Sequence, residues 1–345
     1  MGKLYFVGVD IGGTNVDALL VTKDLEAVAF STSPIRGKNG ASPVTVITQT
    51  IEDLFAQVDR FDLSQVIAIG VGVPGLVDAS AGRVDLAVNL DEKSMLLGPI
   101  LQAHFGRPVF VENDANAVAL GAAKFLIAES IKNLAFITIG TGVGAGLVLD
   151  GKIFHGARNM AGEIGHMFVK ESDIRCQCGA YGCLETFVAG PAIARIAQAA
   201  CTNSEGVDSV LKNVPQLEAA NVFIAADQGD ALALEIVEGV GLILARAIQG
   251  MIMSFDLEKI IIGGGISRAG QTLLNPILKE WARMRSDSVM ASEMLLPEKL
   301  ELCPADYKAG AWGAVAVGMA RSNESENKIE SLGNMLEKEP LILNH

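Results

Sequence analysis

The sequence predicts an α/β fold, and three observations predict it. Strand-like and helix-like runs alternate, a strand, glycine turn, strand unit occurs twice, and 50% of the 345 residues are hydrophobic, enough for two domains with their own cores. Residues 3–9 (KLYFVGV) and 17–22 (DALLVT) are short β-rich runs joined by the turn Asp10-Ile11-Gly12-Gly13-Thr14-Asn15. After a Gly/Pro/Ser stretch, Pro43 to Val58 has helical spacing, Val66 to Gly72 is a buried-strand run, Val109 to Glu112 is another strand, and Ala115 to Ala128 is the next helix. About 128 residues beyond the first turn, "ITIGTGVGAGLVL" (137–149) echoes "VGVDIGGTNVDALLV" (7–21), which reads as internal duplication. Asp150-Gly151 is a hairpin turn, Gly190 to Ala200 and Leu232 to Ser254 are helices, and "KIIIGGGIS" (259–267) is a buried strand ending in three glycines. Leu300 to Cys303 and a helix over Gly310 to Arg321 close the fold, leaving 322–345 as a polar, acidic appendage with a short amphipathic piece near Ile329 to Leu336.

Charge narrows the function classes. With 27 basic against 40 acidic residues the net charge is −13, and no basic run tracks a phosphate backbone, so nucleic acid is not an expected partner. The longest uncharged apolar stretch, Leu134 to Leu149, holds four glycines and two threonines, which suits a strand pair better than a membrane helix. A strand pattern begins at once in "MGKLYFVGVD", so a cytoplasmic protein without a signal peptide is expected.

Three places carry chemistry. Gly12 and Gly13 let the backbone approach an anion, successive N–H groups there make a concave site, and Thr14 adds a hydroxyl; a plain hairpin turn is the alternative. A second such turn (Thr141, Gly142, Gly144) and the cluster at Gly263 to Gly265 favour phosphate binding. No GxGxxG opens a helix here and no GK[ST] is present, so neither a dinucleotide fingerprint nor a Walker loop fits. Asp10, at the strand end beside the turn, is placed to hold magnesium. In "VENDANA" (111–117), Asp114 stands where a helix begins, either as its N-cap or as a general base at the carboxyl edge of a sheet. Last, Cys176, Cys178 and Cys183 form a C-x-C-x4-C knuckle with Gly179 and Gly182 between ligands, able to converge on one zinc at about 2.3 Å. His166 is the plausible fourth ligand; Glu163 and Glu185 are also near in sequence, but Cys3His is a closed structural set that leaves no position for reactive water. Cys201 and Cys303 read as plain buried thiols.

"DIGGTN", "ENDANA", "TIGTGVGAG", "GEIGHM", "CQCGAYGCLE" and "IIIGGGIS" occur in the order and approximate spacing seen in the ROK family of sugar kinases and sugar-responsive repressors, and the chain resembles that family from about residue 5 to 320. The resemblance implies a two-domain actin-like ATPase (ribonuclease H-like) fold with a central cleft and a structural zinc knuckle. It implies a small domain over 1–116, completed by the helix near 309–321, and a large one over 117–308. It implies Mg2+ with ATP, held by Gly12, Gly13, Thr14, Asn15, Thr141, Gly142, Gly144, Gly264 and Gly265, and a hexose held by Gly75, Asn89, Asn113, Asp114, Glu163, His166 and Glu185. Asp114 would take the proton of the 6-hydroxyl, and His166 would serve zinc and sugar at once. A homodimer or homotetramer is implied. Two departures stand out: "VNLDEKSMLLG" replaces the family's PNL followed by glycine and tryptophan, and Asn15 stands where lysine is frequent. The residues fit a glucokinase-like hexose kinase; an N-acetylmannosamine or N-acetylglucosamine kinase is the alternative, because discrimination at the 2-position depends on loop shape. A repressor is disfavoured by the acidic charge and the strand near residue 3.

Overall fold

The computed structural model describes residues 3–35, 42–87, 92–203 and 208–338. The chain forms two compact units, one of residues 1–126 and 308–345, the other of residues 127–307. The sequence-based boundary at 116/117 falls inside a helix, Asp114–Phe125, that stays whole in the first unit.

In the first unit β1 (Tyr5–Ile11), β2 (Asn15–Thr22) and β3 (Ala27–Pro34) form an antiparallel meander, followed by α1 (Pro43–Phe55). β4 (Val66–Val73) pairs parallel with β1, a small sheet follows from β5 (Leu76–Asp78), β6 (Arg83–Ala87) and β7 (Glu92–Met95), and α2 (Leu97–Phe105) leads to β8 (Val109–Asn113), parallel to β4. The sheet order is β3-β2-β1-β4-β8, and α3 (Asp114–Phe125) leaves its edge. Register matters here: Asp10 stands opposite Asp17 on β2 and Gly72 on β4, while Gly72 and Val73 stand opposite Glu112 and Asn113. Three parallel strands thus end together with Asp10 and Asp114 at their carboxyl edge, where α/β sheets bind ligands.

The second unit repeats the opening. β9 (Leu134–Ile139) and β10 (Val143–Leu149) form the antiparallel pair, β11 (Lys152–Ile153) follows, and α4 (Glu185–Val188), α5 (Gly190–Asn203), α6 (Ala219–Asp227) and α7 (Ala231–Phe255) lead to β12 (Lys259–Gly263), parallel to β9. After α8 (Gln271–Asp287) and α9 (Val289–Met294), β13 (Leu300–Leu302) completes the order β11-β10-β9-β12-β13. The core of this unit is fully buried around Trp281, whose indole N–H donates to the Ala245 carbonyl at 3.2 Å. Asp150 and Gly151 both take positive φ, 51° and 73°, as a tight hairpin turn requires.

The last helix, α10 (Ala309–Lys338), returns to the first unit, where Ala311 and Val315 are buried with Phe6, Val21 and Ala68. It overturns one expectation: the helix does not end at Arg321 but runs on through the stretch taken as a tail. No proline interrupts residues 309–338, and propensity carries the helix on even where polar side chains replace the apolar ones. Residues 339–345 and Asn89 lie outside the described residues. Among the described residues no helix is long and apolar enough to cross a membrane.

Candidate functional site

The first unit sets an acidic group at its strand ends. Asn113, not Asp114, caps α3: its side-chain oxygen accepts from the Asn116 N–H at 3.1 Å, and its amide donates to the Gly75 carbonyl at 3.0 Å. Asp114 is therefore the first helical residue. One carboxylate oxygen accepts from the Ala115 N–H at 2.9 Å, and the side chain is half-buried. Beneath it, buried Glu112 accepts from the Asn113 N–H at 3.0 Å and the Asn116 amide at 3.1 Å, so one carboxylate props the whole turn.

Asp10 lies beside this turn. Burial first, then the carboxylates of Asp114 and Asp17, push it up to about 7. A Cβ at Gly310, in the first turn of α10, would run into that carboxylate, so only glycine lets the helix pack there. Sequence reading missed Asp17, Glu112 and Gly310; the symmetric placement of Asp10 and Asp17 about the glycine turn was a signal for the first. Gly12 also behaves differently from expectation, because its N–H closes the turn onto the Asn15 carbonyl at 2.8 Å and is spent there. Gly13, Thr14 and Asn15 are exposed.

The second unit holds the other candidates. Gly264, with φ of 84°, follows β12, and Thr141 and Gly142 lie in the turn after β9; Gly263 pairs with Thr138, so these segments share one sheet edge. Gly144 lies within β10 rather than in the turn. GEIGH runs flat along β10: the Ala145 N–H donates to the Gly162 carbonyl at 2.9 Å, and Gly162 has φ of 94° with no room for a Cβ against the Ala145 carbonyl. This fixes Glu163 and His166, both exposed. The Leu184 N–H donates to the Met167 carbonyl at 2.9 Å, and Phe168 pairs with Cys183, which carries the cysteine loop onto His166.

His166 and the three cysteines offer ligand atoms all within 4.8 Å of one another. Cys176 Sγ is 3.5 Å from His166 Nδ1, and Cys178 Sγ is 3.6 Å from Cys183 Sγ. Tetrahedral zinc with bonds of about 2.0–2.3 Å needs ligands roughly 3.5–3.8 Å apart, so the cluster fits that ion. Burial raises the Cys176 thiol and, with hydrogen bonds from its two neighbours, pushes Cys183 up to about 12; the exposed Cys178 is held low, chiefly by the Ala180 backbone N–H. Such a set becomes three thiolates only around a cation. With Nδ1 on the cysteine side, His166 turns Nε2 outward, 3.9 Å from Glu163 Oε2. Glu185 joins the loop to the glycine turn: Oε1 is 3.9 Å from Cys176 Sγ, and Oε2 accepts from the Val143 N–H at 3.0 Å. Cys201 and Cys303 are half-buried free thiols.

The ROK family model matches residues 6–320. A glucokinase of Halalkalibacterium halodurans is 38% identical over 280 residues, 80% of this chain and 85% of its own. A ROK family transcriptional regulator, a homolog of the E. coli Mlc protein, superposes with a TM-score of 0.77 at 30% identity, covering 92% of this chain and 78% of its own. A ROK family glucokinase from Streptomyces griseus, solved with glucose and AMPPNP, superposes with a TM-score of 0.73 at 28% identity, covering 92% and 99%.

Proposed function

The chain belongs to the ROK family, and from that premise we infer that it is an ATP-dependent sugar kinase that phosphorylates the 6-hydroxyl of a hexose in the manner of a glucokinase. The observation that carries this reading is Asp114, a half-buried carboxylate at a sheet's carboxyl edge that Asn113 relieves of capping duty. In the reaction Asp114 accepts the proton of the 6-hydroxyl, the oxygen bonds to the γ-phosphorus of ATP, and the bond to the β–γ bridging oxygen breaks to release ADP. Asn113, pinned to Gly75, orients neighbouring hydroxyls, with Asn89 adding a contact. Glu163, His166 and Glu185 hold the hydroxyls near the anomeric end, His166 through its outward Nε2. Gly13, Thr14 and Asn15 with Thr141, Gly142, Gly264 and Gly265 cradle the phosphates of ATP.

Magnesium would be held at Asp10, whose carboxyl feels the negative charge of Asp114 and Asp17, and it would neutralise phosphate charge during transfer. Cys176, Cys178, Cys183 and His166 would hold zinc as a closed structural site, and with Nδ1 facing the cysteines a bound ion would fix the histidine's tautomer and direction. The actin-like two-domain architecture with a central cleft, a cytoplasmic location and a homodimeric or homotetrameric state complete the reading.

Steady-state kinetics with Mg-ATP over glucose, mannose, fructose, allose, N-acetylmannosamine and N-acetylglucosamine test it, with glucose expected to give the highest kcat/KM. An N-acetyl sugar at the top of that panel selects the hexosamine alternative, and no turnover on any sugar overturns the kinase. The likeness to a regulator favours a second reading, sugar-responsive DNA binding; retarded operator-like DNA in a gel shift, without turnover, would select it.

A further inference from the structure

A cavity of about 700 Å³ opens in the first unit, away from the carboxylates. Its walls are the segment 79–82 between β5 and β6, helix α2, the entry to β8 and Arg321 of α10. Phe110 lines it near the start of β8, while Asp114 follows the far end of the same strand, about 13 Å away along the chain. The cavity therefore belongs to the opposite edge of the sheet from the candidate site.

Small apolar residues and glycines make up most of the lining, and Arg107 and Arg321 are its charged members. Arg321 is held at the wall: one Nη donates to the Ala79 carbonyl at 3.3 Å, and the other lies 3.8 Å from Glu324. Arg107 is half-buried and its charge reaches Asp62, yet its Nε is buried with no hydrogen-bond partner among the described residues. A buried donor in that condition is costly, and an acceptor brought to the Arg107 side chain by a ligand would relieve it. In a chain of net charge −13, two arginines gathered in one cavity are a local exception to a surface that repels anions.

We propose that this cavity is a second ligand site, independent of the sugar and nucleotide residues, for a small phosphate ester whose phosphate is gripped by Arg107 and Arg321. Planar guanidinium forks match phosphate oxygens two at a time. The volume falls within the range of small-molecule sites and exceeds what a bare phosphate fills, and Ser80 and Gln102 offer partners to hydroxyls on an organic body.

Calorimetric titration of the full chain with glucose 6-phosphate, 3-phosphoglycerate, AMP and inorganic phosphate tests the proposal. At least one ester is expected to show a binding component that weakens roughly tenfold or more in R107Q and in R321Q, with kcat and KM for sugar and ATP unchanged. Ala103→Phe, which fills the cavity and leaves both arginines in place, is expected to abolish the same component, so a folding defect in either arginine variant does not decide the matter. Inorganic phosphate binding as tightly as any ester, with the same arginine dependence, would support the phosphate grip and name free phosphate as the source. If no component of any of the four probes depends on Arg107, Arg321 or Ala103, the proposal is wrong.

Discussion

Two aspartates, Asp10 and Asp114, stand at strand ends of one sheet, and the fold treats them differently. The sequence left Asp114 as either a cap or a base, and one residue of helical phase removes the first: Asn113 takes the cap, and Asp114 is the first helical residue. Asp114→Ala is expected to lower kcat by about 10²–10⁴-fold with the melting temperature nearly unchanged, since no buried packing is lost. Asn113→Ala is different; losing the cap costs about 1 kcal/mol of stability and frees the loop at Gly75, so KM for sugar should rise as well. Asp10 is proposed from sequence as a magnesium ligand but shows no sign there of its raised proton affinity, because Asp17 and Asp114 are brought near it only by strand pairing in the fold. Its carboxyl is raised to about 7 in the folded chain, so the folded state binds the proton more tightly than the unfolded one does. Stability without divalent cation should therefore fall as pH rises from about 4 through 7, and Asp10→Asn should raise the melting temperature at pH 8 but not at pH 4. Thermal melts at both pH values, with and without magnesium, check this; a pH-independent difference between the two proteins would refute it.

The cysteine loop is the element that the sequence reported most fully, since thiol spacing and intervening glycines constrain a metal site locally. The sequence points to His166 as the fourth ligand for want of another suitable histidine, and the structure places it against Cys176 through the pairing of residues 167–168 with 183–184. Replacing Cys178 with serine should remove zinc, measured by mass spectrometry, and weaken sugar binding at least tenfold, because Glu185 and His166 both rest on the loop. Metal loss with unchanged sugar affinity would separate the loop from the sugar site. Other elements were less legible. β3 is half-exposed and lacks a clean alternation, and α8 contains Pro276, which argues against a helix until tertiary packing of Ile277 and Trp281 overrides it. The length of α10 was hidden by reading polarity as the absence of structure.

Internal duplication was visible in the sequence because glycine turns leave a compositional mark, and both units do open with an antiparallel pair and a later parallel strand. How the units are assembled from the chain was not readable from composition and came only with the family resemblance, which completes the small domain with the helix near 309–321; in the structure the second unit is one continuous stretch, while the first takes in residues 308–345 as well. Residues 127–307 expressed alone should fold cooperatively and bind one zinc through the four-ligand cluster, and a chain ending at Tyr307 should leave the first unit unfolded while the second keeps its metal. Circular dichroism with metal analysis reads both outcomes; loss of zinc from the isolated stretch would contradict the independence of that unit. The assembly also orders events at the ribosome. The second unit has all its residues in hand before α10 emerges, whereas Phe6, Val21 and Ala68 are made before the whole of that unit and lack Ala311 and Val315 until it is complete. Nascent chains of this protein thus carry an unfinished sheet for as long as the second unit takes to be made, and that interval is when a holding chaperone would matter most.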